Sequence, residues 1–271
     1  MKIRDKVAMV TGAGSGIGRA VGLELARRGV ARLGMVDLSD AVKDFCGEVD
    51  AAAGKPVALP LVGDVTDSRF RRMAFDEATD GAGPVNILVP AAGVTRDALC
   101  VRVDKETGKA SLYPVEHFRL VVEINLISPV YWAMELVARI AEYRLASGKK
   151  RWQGTEEIEG TIIFIGSVSS QGNKGQISYA ATKAGLEGAA ATLMKEAMYH
   201  GVRTGVIHPG FTNTPMVHTL PEDYIRTNVI PFTQLQRLIE PEEIADAICF
   251  MISNSAVSGE LWADAGWHPS A

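Results

Sequence analysis

A chain of 271 residues, 47% hydrophobic and 22% charged, has the balance of a globular protein with a core and fits one α/β domain. Its formal net charge of −4 offers no basic face, so neither a nucleic acid nor an anionic membrane is expected as a partner. Three cysteines (Cys46, Cys100, Cys249) without CxxC spacing and five histidines without ligand spacing argue against a disulfide framework and a protein-bound catalytic metal.

The first apolar run, Val7-Ala8-Met9-Val10, reads as a buried strand and is too short for a secretory leader, whose apolar region needs about 7–15 residues. A glycine turn (11–18) leads into a helix over 18–28, with apolar Val21, Leu23, Leu25 and Ala26. A strand over 33–36 ends at Asp37, followed by a helix over 40–53, a strand over 57–62 and a helix over 67–80. A fourth strand covers 87–89. Residues 101–114, turning at Thr107-Gly108-Lys109, read as a solvated excursion. A long helix over about 114–145 is expected to break near Pro129. Charged residues 146–160 read as a second solvated excursion, before a strand over 161–165, a helix over 179–200 and a strand over 203–207. No apolar run approaches the roughly 18–20 residues that cross a bilayer, and the expected location is the cytoplasm.

Wholly apolar strands separated by helices predict a Rossmann-type doubly wound parallel sheet covered on both faces. Right-handed crossovers place every strand's C-terminal end on one edge, where ligands bind. No low-complexity linker divides the chain, so a single domain over 1–271 is expected.

Gly12, Gly16 and Gly18 follow a G-x3-G-x-G spacing; Ile17 stands where the GxGxxG fingerprint needs its last glycine. The physics is the same. Residues without Cβ admit a diphosphate, and the next helix offers unpaired N–H groups at its positive end. Gly12, Ser15, Gly16, Ile17 and Gly18 are therefore candidate cofactor contacts. Asp37 is placed to accept both adenosine ribose hydroxyls and to repel a 2′-phosphate, which favours NAD over NADP; the other reading is a strand-end cap. Asp64 and Val65 are placed to meet the adenine edge.

Tyr179 and Lys183 stand four residues apart, on one face of a helix. A phenol titrates near 10 and is a poor base at neutral pH, but a neighbouring ammonium stabilises the phenolate and lowers that value. Such a pair serves as a general acid–base toward an alcohol or carbonyl oxygen, provided a donor such as Ser167 steadies that oxygen.

Together with Asn125, Asp64-Val65, Ser167, Tyr179-Ala180-Ala181-Thr182-Lys183 and Pro209-Gly210-Phe211-Thr212-Asn213-Thr214, the glycine turn makes the whole sequence resemble the short-chain dehydrogenase/reductase family. The resemblance implies that Tyr179 is the acid–base and that Lys183 binds the nicotinamide ribose and lowers the tyrosine's pKa. Ser167, with Ser169 as the alternative, would steady the substrate oxygen. Asn125 would hold a water in a proton relay toward Lys183; otherwise it is a helix-interior asparagine bonded to backbone. Pro209, Gly210, Thr212 and Thr214 would hold the carboxamide, and Ala92 and Gly93 would allow close approach to the adenosine. Pro90-Ala91 replaces the family's two asparagines, which removes amides that brace the strands, and Ala263-Asp264-Ala265-Gly266 replaces its Val-Asp-Gly-Gly.

Thr95-Arg96-Asp97-Ala98-Leu99 and Ile239-Glu240-Pro241-Glu242-Glu243-Ile244-Ala245 are similar to segments of 3-oxoacyl-carrier-protein reductases, which usually take NADPH; a catabolic alcohol or hydroxyacyl dehydrogenase is the comparable reading. Residues 211–238 are expected to form a lid over a small carbonyl or alcohol substrate. Family members commonly form tetramers, and the small residues of 186–194 suit close helix packing, so a homo-oligomer, tetramer or dimer, is expected. Two rivals stand beside this reading. A non-catalytic dinucleotide sensor would not need the Ser-Tyr-Lys set, and a nucleotide-sugar epimerase or dehydratase would need a larger C-terminal domain.

Overall fold

The computed structural model describes residues 1–267. Seven strands form one parallel sheet: β1 (Val7–Thr11), β2 (Arg32–Asp37), β3 (Ala58–Val62), β4 (Val85–Pro90), β7 (Gly160–Ile165), β8 (Val202–Pro209) and β9 (Gly259–Ala263). Their order is β3-β2-β1-β4-β7-β8-β9, so the winding reverses between β1 and β4. Ligands of doubly wound sheets bind beyond the strand ends at such a reversal.

Alternate residues of each strand face opposite sides, which divides the core in two. Ala8 and Val10 of β1 pack with helices α1 (Gly16–Arg27), α2 (Ala41–Ala53) and α8 (Pro241–Ser253), the last preceded by the short α7 (Glu222–Asn228). Val7 and Met9 face Phe75 of α3 (Ser68–Thr79), Trp132 and Leu136 of α5 (Ser128–Ala146) and Leu186 of α6 (Ile177–Glu196). Every position of β1, β7 and β8 is buried, as strands covered on both faces require, including the polar Arg203, Thr204 and His208 of β8.

Five features depart from the expectations. The excursion over 101–114 contains a small antiparallel hairpin, β5 (Val101–Val103) with β6 (Ala110–Leu112). Strand β9, outside the expected set, extends the sheet beyond β8. The long helix does not break at Pro129. It runs from α4 (Val115–Val122) through a π-helical turn (Glu123–Ile127) into α5, with Pro129 in the first turn of α5. A proline ring clashes with the carbonyl four residues back, here that of Asn125, and the wider π winding relieves the clash. This continuous helix, Val115–Ala146, is also long and apolar enough to cross a membrane by length and composition, contrary to expectation. Its buried Trp132, Leu136 and Ile140 pack with the sheet residues Leu88, Ile162 and Phe164.

Residues 146–160 are anchored rather than merely solvated. Arg144, 1% exposed, donates to Glu156, Glu159 and the Lys150 carbonyl, and Trp152 bonds Tyr199 and Glu157.

Candidate active site

At the β1–α1 turn each glycine has its own reason. Gly12 has φ +66°, and a Cβ there would stand 2.7 Å from the Ala92 amide nitrogen. A Cβ on Gly18 would collide with the Gly12 carbonyl oxygen, and one on Gly16 (φ +51°) would meet Thr214 Cγ2 at 3.1 Å. Ser15 caps α1 without a side-chain bond to the helix, and no acidic side chain occupies the first turn. The helix start thus keeps amides and a positive dipole end for an anion, and this cradle fits the diphosphate of a dinucleotide.

Asp37, at the end of β2, accepts from the Gly14 amide at 2.8 Å and from the Ser39 amide at 2.9 Å. It therefore braces the glycine turn, while its remaining lone pairs stay open to hydroxyl donors. Gly14 lay outside the expected contacts, yet a Cβ there would stand 3.0 Å from the Asp37 carboxyl carbon. The extra glycine inside the run was its signal. Exposed Asp64 accepts from the Thr66 amide and hydroxyl, both at 2.8 Å, and the Val65 carbonyl accepts from Ser128 and Trp132, both at 2.9 Å. Where Pro90-Ala91 lacks amide side chains, Thr11 supplies the brace: its carbonyl accepts from Ala91 at 3.1 Å and its hydroxyl from Ala92 at 3.2 Å.

Beyond β7, Ser167 opens a 3-10 turn (Val168–Gln171) and its Oγ accepts from the Ser169 amide at 3.1 Å. Tyr179 lies in the first turn of α6, and Lys183 one turn on. Ile17, Ser167, Ser169, Tyr179, Pro209, Gly210, Thr212 and Thr214 share a cavity of about 530 Å³. Thr95, Asp97, Leu99, Phe211, Met216 and Tyr224 complete much of its wall. Thr212 and Thr214 are held by carbonyls within their own loop, of Gly210 and Thr212 respectively.

Asn125 and Lys183 stand behind this cavity, both buried. The Asn125 side chain takes the Val94 amide at 2.9 Å and gives to the Val94 carbonyl at 2.8 Å, so it pins the segment after β4. Gly93 packs under it, since a Cβ there would stand 3.4 Å from Asn125 Oδ1. Lys183 Nζ donates to the Ile165 carbonyl at 2.7 Å and lies 5.4 Å from the centre of the Tyr179 ring.

The electrostatics differ from the sequence expectation of an easily ionised phenol. Burial pushes the Tyr179 hydroxyl up to about 12; the nearby Ser167 hydroxyl opposes this and the Asp97 charge adds to it. Burial also pushes Lys183 down to about 8. Desolvation outweighs the lysine's attraction, because Nζ is turned to a backbone oxygen. Asp97 was not among the expected site residues; it accepts from Gln176 at 2.8 Å on the cavity wall.

The chain is similar to known proteins over nearly its whole length. Residues 6–225 match the family described as short chain dehydrogenase. The chain is 35% identical over 266 residues to the 3-oxoacyl-(acyl-carrier-protein) reductase of Escherichia coli K12, covering 96% of each. It is 31% identical over 264 residues to the reductase of the same name from Thermotoga maritima, again covering 96% of each. A crystal structure described as ribose-5-phosphate isomerase from Brucella melitensis 16M superposes with a TM-score of 0.74 at 29% identity, covering 96% of this chain and 92% of that one.

Proposed function

Because the chain belongs to the short-chain dehydrogenase family, we propose that it is an NAD(H)-dependent oxidoreductase interconverting a secondary alcohol and a ketone, with 3-hydroxyacyl and 3-oxoacyl compounds as the leading substrate class. The observation that carries the reading is that Ser167 and Tyr179 line one cavity, beside a glycine cradle that fits a dinucleotide. When bound, a nicotinamide supplies the hydride donor or acceptor. Gly12, Ser15, Gly16, Ile17 and Gly18 would hold the diphosphate, and Asp37 the adenosine ribose, favouring NAD over NADP. Asp64, Val65, Ala92 and Gly93 would line the adenosine. Pro209, Gly210, Thr212 and Thr214 would hold the carboxamide.

In the reduction direction Ser167 Oγ and the Tyr179 hydroxyl hold the substrate oxygen, and Tyr179 gives it a proton; in oxidation Tyr179 takes the proton back. Lys183 keeps two N–H donors beyond the one spent on Ile165, enough to bind ribose hydroxyls and carry charge toward the phenol. With its side chain committed to Val94, Asn125 serves the proton path by fixing the helix turn beside α6, and any relay water sits beyond that side chain. Residues 211–238 form the lid, since Phe211, Met216 and Tyr224 already wall the cavity. Isomerisation of a sugar phosphate, the activity named for one structural relative, has no use for a hydride carrier and does not suit a dinucleotide cradle.

Assembly as a homo-oligomer, tetramer or dimer, is supported by an open face of Tyr131 and Met134 on α5 and of Gly188, Ala191 and Thr192 on α6. The unpaired cysteines suit a reducing cytoplasm. The test is a panel of secondary alcohols, hydroxyacyl thioesters and ketones read at nicotinamide absorbance, with NAD and NADP in parallel. Turnover by the wild type and its loss in Tyr179→Phe are expected. Normal turnover in that variant would overturn the acid–base role, and better turnover with NADP would overturn the role of Asp37.

A further inference from the structure

His208 of β8 is fully buried, and its ring lies flat on that of Trp262 in β9, centroids 4.1 Å and planes 13° apart. Its Nδ1 stands 3.2 Å from the carbonyl oxygen and 3.3 Å from the amide nitrogen of Ser167. The ring occupies the space beside Gly166, where a Cβ would come within 2.6 Å of Nδ1. The other ring nitrogen, Nε2, has no hydrogen-bond partner. It faces two carboxylates, Glu260 Oε2 of β9 at 3.4 Å and Glu187 Oε1 of α6 at 3.8 Å. Among the described residues no lysine or arginine pairs with either carboxylate, and the three atoms all lie within 4.8 Å of one another.

Nδ1 can accept from the Ser167 amide or, in the other tautomer, donate to the Ser167 carbonyl; a bound ion selects the second, in which Nε2 presents a lone pair to two anionic oxygens. Three acceptors converging in a partly buried place call for a cation. The geometry points to Glu187, His208 and Glu260 as a binding site for a divalent transition-metal ion of the zinc class. An imidazole with carboxylates is a donor set such ions accept, whereas magnesium and calcium prefer oxygen alone. Ligands about 2.0–2.1 Å from zinc in a tetrahedron stand roughly 3.3 Å from each other, close to the His208 separations found here. A backbone carbonyl on the far nitrogen is the usual way a metal-binding histidine is oriented. The Glu187 and Glu260 side chains are 30% and 41% exposed, so a hydrated ion reaches the site from the surface.

None of the three ligands lines the large cavity, so the ion takes no part in the reaction there. It ties α6, β8 and β9 together, and His208 links it to the backbone of Ser167. The three residues lie far apart in sequence, which is why histidine spacing gave no sign of them.

The test uses chelator-treated protein titrated with cobalt(II) and zinc(II), followed by calorimetry, tryptophan fluorescence and thermal unfolding. One equivalent is expected to bind. Cobalt quenches Trp262 through the stacked imidazole, zinc reverses the quenching, and either ion raises the melting temperature. Glu187→Gln and Glu260→Gln, partly exposed and expected to fold normally by circular dichroism, each weaken binding by tenfold or more, since losing even a supporting partner costs about 10–100-fold. No saturable binding to the wild type overturns the site. Equal binding by wild type and both variants overturns it as well.

Discussion

Lys183 gives its buried ammonium to the Ile165 carbonyl at 2.7 Å, while the ring of Tyr179 lies 5.4 Å away, so the two groups are neighbours without being bonded. In the protein without nucleotide, burial therefore governs both, and the phenol is an acid up to about pH 12. A second positive charge brought by NAD+ is what would lower that value toward working pH. Phenolate absorbance of the wild type minus that of Tyr179→Phe should show one group titrating near 12 alone and markedly lower with NAD+. A difference curve already near 10 without nucleotide would remove burial as the controlling influence.

Lys183 also leaves a mark on stability. Its folded value near 8 lies below the ordinary 10.5, so between these the unfolded chain binds a proton that the folded one lacks. Stability then rises with pH across that window, by about 3 kcal/mol in full. Tyr179 acts oppositely only above pH 10, where the unfolded phenol ionises first. Urea unfolding of the wild type and Lys183→Met, compared between pH 8 and 10, should show the wild type gaining on the variant as pH rises. A constant gap would contradict the burial assigned to this ammonium.

The sheet was legible because Val7 to Val10 and Ile162 to Ile165 are unbroken apolar runs, as a strand covered on both faces requires. The glycine turn showed in its G-x3-G-x-G spacing after the first strand, and Ser167 and Tyr179 in the resemblance together with the sheet edge that topology gives them. What stayed hidden depends on contacts across the chain. Pro129 signals a break, yet the π turn and the bonds of Asn125 to Val94 keep the helix continuous. Strands β5 and β6 are three residues each and wholly exposed, too short for any period to show. Asp37 looked like a ribose ligand or a cap; its bond to Gly14 makes it a brace of the turn as well.

Two glycines on neighbouring helices should respond oppositely to alanine. At Gly18 the new methyl would strike the Gly12 carbonyl oxygen, forcing the turn open and costing nucleotide affinity as well as stability. At Gly47, inside α2, a methyl meets nothing within 4 Å. Gly47→Ala should therefore stabilise by about 0.5–1 kcal/mol through helix propensity. Urea midpoints and NAD+ titration decide the matter; a Gly18→Ala protein that binds NAD+ normally would show the turn to be softer than its packing implies.

Arg144 fastens the segment between α5 and β7. Its guanidinium donates to Glu156 at 2.9 Å, Glu159 at 2.7 Å and the Lys150 carbonyl at 3.0 Å, with its side chain 2% exposed. Arg144→Met leaves two carboxylates facing each other, 26% and 16% exposed, so they recover part of their hydration. The expected loss is about 3 kcal/mol, at the low end for breaking a buried pair. Arg144→Lys keeps the charge but loses the planar fork that serves three acceptors, and should fall between wild type and Arg144→Met. Protease cleavage within residues 147–159 should accelerate in the same order, because this anchor and the Trp152 bonds hold the segment down. Arg144→Met within about 0.5 kcal/mol of wild type would place it among ordinary surface substitutions and show the segment to be held by other contacts.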